Sequence, residues 1–179
     1  MPYAVTHFLV PVIIVSIIRD YFYRKSGNKF PLHYVLIAGL AGIAPDLDIA
    51  LFWILHPFGF TLEQLHRTFA HALILPIIFF ILFLITKNIK IAQLGRHKLR
   101  LANIFMAIAF GVVTHIILDG LLGGYVAPFY PFSSNEIGLN LVSYLPNDLE
   151  PLAFPSLDAA LLVIYVIYLE LKHKISDFI

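Results

Sequence analysis

Apolar residues fall into five long blocks, 6–23, 32–55, 69–86, 101–122 and 157–171, with short polar segments between them. A helix that crosses a bilayer needs about 20 predominantly apolar residues, and about 17 suffice at the short end. The second, third and fourth blocks meet that length. Arg19 and Asp20 trim the first block and Glu170 trims the fifth, so both rely on tilt and on long side chains reaching the headgroups. The second block carries its own interruption, GLAGIAPDLDIALFW. Pro45 removes a helix donor and disfavours helical geometry at Ala44, and Gly39 and Gly42 are expected to loosen the turns before it. The pattern therefore predicts an all-α, polytopic helical membrane protein with about five membrane-embedded helices, the second broken at Pro45. Residues 1–179 read as one helical membrane domain, with 120–156 an external or interfacial loop.

Composition sharpens this picture. Hydrophobic residues make up 60% of the chain and charged residues 13%, too few charges to cover the apolar surface of a water-soluble fold. The absence of cysteine excludes disulfides, a thiol nucleophile and thiolate ligands. A net charge of +1, with the basic residues scattered between blocks, gives no footprint for nucleic acid. The start of the chain has no basic leader with a small-residue cleavage site, and an uncleaved first helix is compatible with it. Segment 19–31 carries four basic residues against Asp20, and 87–100 carries five with no acid. Segment 56–68 balances Glu63 against Arg67, and 120–156 carries Glu136, Asp148 and Glu150 without a base. The excess of lysine and arginine places the first two segments in the cytoplasm and the others outside, in a cell or inner membrane. No oligomeric state is specified, and a homo-oligomer is compatible with the pattern.

The topology brings seven ionisable side chains to one membrane level, near the extracytoplasmic face: His7, Asp46, Asp48, His66, His71, His115 and Asp119. Groups so expensive to bury in an apolar segment are expected to serve a site. In THIILDGL, His115 and Asp119 are four residues apart and share a helical face; the structural alternative is a local hydrogen-bonded pair. In PDLD, a regular helix would separate Asp46 and Asp48 by about 200°, so the break at Pro45 decides where they point. Asp46 reads as a ligand, and Asp48 as either a bridging carboxylate or one that orients a histidine from behind; either aspartate could instead cap the next helix. His66 and His71, five apart, reach one cavity only through a loop-to-helix transition, with Thr68 as cap of a helix beginning at Phe69. Arg67 is a permanent cation with a planar fork of donors that suits a phosphate; its structural alternative is contact with lipid headgroups. His33, His56, His97 and His173 lack carboxylate company and stay outside the site. In the external loop Asn135, Glu136, Asn147 and Asp148 are candidates for substrate contact or for ordinary turn capping, and Asp158 reads as a cap of the last helix. Nitrogen and oxygen donors without sulfur suit a divalent transition metal, zinc first and manganese or iron as alternatives, with room for two ions.

Thr6-His7, Pro45-Asp46-Leu47-Asp48, His66-Arg67-Thr68-Phe69-Ala70-His71, Thr114-His115 with Asp119-Gly120, and Tyr130 to Ser133 (YPFS) together give the chain a recognisable signature. It resembles the YdjM-like family of membrane-bound metal-dependent hydrolases, with a more distant likeness to zinc-dependent phospholipase C. The resemblance implies an all-helical membrane protein with His7, Asp46, His71, His115 and Asp119 among its metal ligands, and His66 and Asp48 as ligands, acid–base groups or orienting groups. The expected function is a phosphoesterase that uses metal-activated water on a phospholipid or another lipid-linked phosphoester, a membrane lipid substrate. Arg67 would orient the phosphate, and Asp48 or His66 would manage protons. Two alternatives belong to other classes: a divalent metal transporter, and a structural membrane protein whose bundle a metal holds together.

Overall fold

A computed structural model of the chain describes residues 2–23, 30–62, 66, 69–89, 93–94 and 99–178. In hydrocarbon every backbone N–H and C=O needs an internal partner, and the helix supplies one for each. The apolar blocks accordingly form α1 (Ala4–Ile18), α2 (His33–Ile43), α3 (Leu47–Leu55), α4 (Ile74–Thr86), α5 (Leu101–Leu118) and α6 (Glu150–His173). Between α4 and α5 a two-residue antiparallel ladder pairs β1 (Gln93–Leu94) with β2 (Leu99–Arg100).

Four of the apolar helical stretches are long enough to cross a membrane: Ala4–Tyr21, His33–Phe58, Leu101–Gly123 and Glu150–His173. The expected ranking of the blocks changes. The first and last, judged marginal in sequence, are long enough, whereas the third yields only the 13-residue α4, about 20 Å of helix at 1.5 Å per residue. Its first residues, Phe69–His71, form a 3-10 turn instead of opening the α-helix, so a cap by Thr68 for a helix at Phe69 does not apply; Thr68 itself lies outside the described residues. The interruption at Pro45 takes the form of a 3-10 turn, Ala44–Asp46, between α2 and α3.

The glycines of α2 act differently from expectation. The helix continues through Gly39 and Gly42 to Ile43, and a Cβ on Gly42 would collide with the carbonyl oxygen of His7. A Cβ on Gly111 of α5 would likewise collide with the carbonyl of Ala38. Bare backbone thus lets α1, α2 and α5 approach closely, the usual solution where lipid supplies no hydrophobic drive for helix association. Val12, Val15, Val35, Ala38 and Ala107 fill the resulting core. The largest interfaces join α5 to α2 and to α4, and α1 to α2, which makes α5 the central helix.

The loop expected over 120–156 is shorter, because α6 begins at Glu150 with Pro151 in its first turn, where a missing N–H is not needed. Asp158 therefore lies inside α6, not at its cap, and accepts a hydrogen bond from Thr6 Oγ1 on α1. The loop itself is tied down: Val126 and Ile137 form a β-bridge, Val126 packs on Val112 and Ile116 of α5, and Pro128 O accepts the Leu73 N–H at 2.8 Å. None of the described residues of α6 is buried, so its apolar faces are left for lipid.

Candidate metal centre

Irregular turns position most of the site. His7 sits on α1, Asp46 ends the 3-10 turn after α2, Asp48 lies in the first turn of α3, His71 ends the 3-10 turn before α4, and His115 occupies the last turn of α5. Asp119 opens a π-type turn, Asp119–Gly123. Such departures from α geometry, frequent at functional sites, re-aim side chains that a regular helix would spread around its circumference.

His7, His71, His115 and Asp119 are fully buried (0% exposed), and three overlapping groups of donors converge there: His7, His115 and Asp119; Asp46, His71 and His115; Asp48, His66 and His71. Four donor atoms form a compact cage. His71 Nε2 and His115 Nε2 are 3.1 Å apart. Asp46 Oδ1 is 3.6 Å from each of them, and Asp119 Oδ2 is 3.6 Å from His71 Nε2 and 3.5 Å from His115 Nε2. A tetrahedral ion with bonds of about 2.0–2.1 Å requires donor–donor separations of about 3.3–3.4 Å. Five of the six edges, at 3.1–3.6 Å, lie near that value.

The His115 imidazole is held in the tautomer a metal needs. His115 Nδ1 donates to the carbonyl of Gly42 at 2.7 Å, which leaves Nε2 with a free lone pair facing the cage. Asp48 stands behind His71 at ion-pair distance without a formed hydrogen bond: its Oδ2 is 3.4 Å from His71 Nδ1, and its Oδ1 is 2.8 Å from His66 Nδ1. Asp48 therefore joins His66 to His71 from outside the cage, one of the two arrangements expected of it. On the other side, Asp119 Oδ1 is 3.2 Å from His7 Nε2, and the His7 ring stacks on that of His115 with centroids 3.9 Å apart. The two oxygens of Asp119 thus face different nitrogen sets, as a carboxylate shared by two ions would.

Electrostatics also call for a cation. His7 Nδ1 and Nε2, Asp46 Oδ1, His71 Nδ1 and both oxygens of Asp119 are buried with no hydrogen-bond partner among the described residues. Each buried polar atom left unmatched costs roughly 1–3 kcal/mol, and more where it carries charge. A divalent ion would satisfy the donors aimed into the cage and neutralise its carboxylates together. Access is uneven: the side chains of Asp46, Asp48 and His66 are 19%, 8% and 12% exposed, so the edge of the cluster they form is its open side.

All the predicted ligands meet in this cluster. Arg67 lies outside the described residues, as does His97. His56 is exposed, and Asn135, Glu136, Asn147 and Asp148 are exposed on the loop. His173 pairs with Asp20 at 2.8 Å, together with Tyr168, away from the cage. Sequence reasoning missed the Gly42 carbonyl, since a backbone acceptor has no letter of its own; the small residue that admits it was the one available signal.

A family model described as YdjM inner membrane protein matches residues 1–173. Comparison with curated proteins and with solved structures returned no match.

Proposed function

The chain belongs to the YdjM inner membrane protein family, and from that premise and the histidine–carboxylate cage we propose that it is a membrane-embedded metal-dependent hydrolase, a phosphoesterase acting on a phospholipid or another lipid-linked phosphoester. The observation that carries the reading is the cage itself, four buried nitrogen and oxygen donors with edges of 3.1–3.6 Å. His71, His115, Asp46 and Asp119 would hold a first ion, zinc by preference, and His7 with the second oxygen of Asp119 would begin a second position. A divalent ion held there would supply an acidified water and polarisation of a phosphoryl oxygen. Asp48 fixes the His71 ring, and the Asp48–His66 pair at the open edge accepts the proton of the attacking water. Arg67, next in sequence to His66, orients the phosphate through its planar fork of donors. The basic segments 19–31 and 87–100 favour a site near the extracytoplasmic face.

A second reading rests on a specific observation. Complete burial of three of the four donors is also what a closed structural site shows, so an ion that only locks α2, α4 and α5 together is the competing account. The test measures metal content of detergent-purified protein for wild type, His115→Ala and Asp119→Asn, and release of headgroup or phosphate from a panel of phospholipids and polyprenyl phosphates in vesicles. Hydrolysis by metal-loaded wild type, lost with the metal in both variants, is the expected result. One tightly held ion with no turnover on any member of the panel would leave the structural account.

A further inference from the structure

The two flanks of the bundle differ in apolar length. α4 packs on α5 at one flank and α6 on α1 at the other, and among the described residues α4 and α6 share no substantial interface. On α6 the exposed apolar side chains run from Leu152 to Leu171, about 28 Å at the rise of a helix, close to the roughly 30 Å of a bilayer's hydrocarbon. α4 offers 13 residues, about 20 Å, and polar groups bracket it. The exposed Lys87 caps one end. At the other end the 3-10 turn Phe69–His71 precedes the helix, and the loop lies against it through the Leu73 N–H to Pro128 O bond. That loop is pinned at the level of Asp119: Leu139 N donates to Gly120 O at 2.6 Å, and the exposed Glu136 directly precedes Ile137 of the bridge to Val126.

The cage supplies a common level for comparing the flanks. Thr6, next to His7, bonds Asp158, so α6 continues about 12 Å past the cage to Glu150. By contrast α4 begins only at Ile74, just after His71, and α5 gives way to its π-turn at Asp119. Irregular backbone at hydrocarbon depth is tolerated only inside protein or against water, and an exposed carboxylate such as Glu136 is costly there. We propose that lipid meets the two flanks at different heights: the bilayer keeps its full thickness along α6 and is thinned by about 8–10 Å along α4 and α5, which brings phospholipid headgroups and water down to the level of the cage. Thinning is how a bilayer matches a flank shorter than its hydrocarbon, and it leaves Glu136 in water. Asp48 and His66, at the open edge of the cage, adjoin His71 at the head of the short flank. The inference concerns the lipid surface and holds whether or not a lipid is hydrolysed there.

The experiment reads depth by fluorescence quenching. Trp53 is the only tryptophan, so Trp53→Phe gives a background in which single tryptophans replace exposed residues: Phe69 and Ala160 at the level of the cage, one on each flank, and Ile85 and Leu171 near the opposite ends of α4 and α6. Full-length protein is reconstituted in phosphatidylcholine vesicles whose lipids carry bromine either near the headgroup or near the chain end. Phe69→Trp should be quenched about twofold or more better by the shallow bromine, Ala160→Trp better by the deep one, and Ile85→Trp and Leu171→Trp both by the shallow one. Ile117→Trp, exposed on α5 between His115 and Asp119, repeats the first reading if Phe69→Trp does not fold. Equal depth for Phe69→Trp and Ala160→Trp, whether both deep or both shallow, would overturn the step. A shallow Phe69→Trp with a deep Ile85→Trp would overturn it as well, since that is rigid tilt of the whole bundle. The readout needs no turnover: a step without hydrolysis would sink the hydrolase reading alone, and hydrolysis in a flat bilayer would sink this one alone.

Discussion

Gly42 offers no side chain, yet its carbonyl decides which nitrogen of His115 faces the cage. Asp48 faces the corresponding nitrogen of His71 at 3.4 Å, and it reaches His66 with its other oxygen. Partners behind a ligand of this kind typically change metal affinity by about 10–100-fold when removed. Asp48→Asn is therefore expected to weaken zinc binding by that factor, measured by competition with a chromophoric chelator, while saturating zinc still restores the wild-type stoichiometry. An unchanged affinity would remove Asp48 from this role; complete loss of binding at saturation would make it a ligand. At this scale the sequence was legible where local geometry is fixed. His115 and Asp119 sit four apart, and the structure places Nε2 and Oδ2 at 3.5 Å. The part played by Asp48 stayed open in sequence because it depends on how the chain turns at Pro45, and the Gly42 acceptor depends on a contact 73 residues away.

Among the helices, close approach depends on missing side chains. Gly111 faces the Ala38 carbonyl so tightly that any Cβ must push α2 and α5 apart, and these two helices carry Gly42 and His115. Overpacking of a well-filled interface costs about 1–3 kcal/mol. Gly111→Leu is expected to lower the melting temperature of the detergent-solubilised protein and to reduce its metal content, whereas Ile164→Ala, on the exposed surface of α6, should change neither. A Gly111→Leu protein that melts and loads metal like wild type would show that this contact does not hold the cage. The helices themselves were readable as apolar blocks, but their ends were not. EPLAFPS at the start of α6 looks like loop by hydropathy, and only the helix through it turns Asp158 towards Thr6. A second polar tie, from Tyr168 and His173 to Asp20, fastens α6 to the far end of α1. Between these ties α6 has no buried residue, and Tyr165 packs its ring against the Val12–Val35 core.

For the whole molecule, the arrangement makes two demands. The first is orientation: with 19–31 and 87–100 in the cytoplasm, a cysteine introduced at Asn88, which is exposed, should react with an impermeant maleimide only after the membrane is opened, and one at Ser134 in intact spheroplasts. The reverse pattern would put the cage on the cytoplasmic side. The second is that an ion held in the cage would act as a stay between elements far apart in sequence. Its four donors come from the turn after α2, the turn before α4, the end of α5 and the π-turn that follows. A ligand that binds only the folded state stabilises it by an amount set by its concentration over its dissociation constant, about 2.7 kcal/mol at a hundredfold excess. Stripping the metal with a chelator should therefore lower the melting temperature of wild type, and added zinc should restore it in a concentration-dependent way. Asp119→Ala, with both carboxylate oxygens gone, should melt at one temperature whether zinc or chelator is present. If wild type is equally indifferent, the imidazoles and carboxylates are held together by one another, and the cage fits an ion without depending on one.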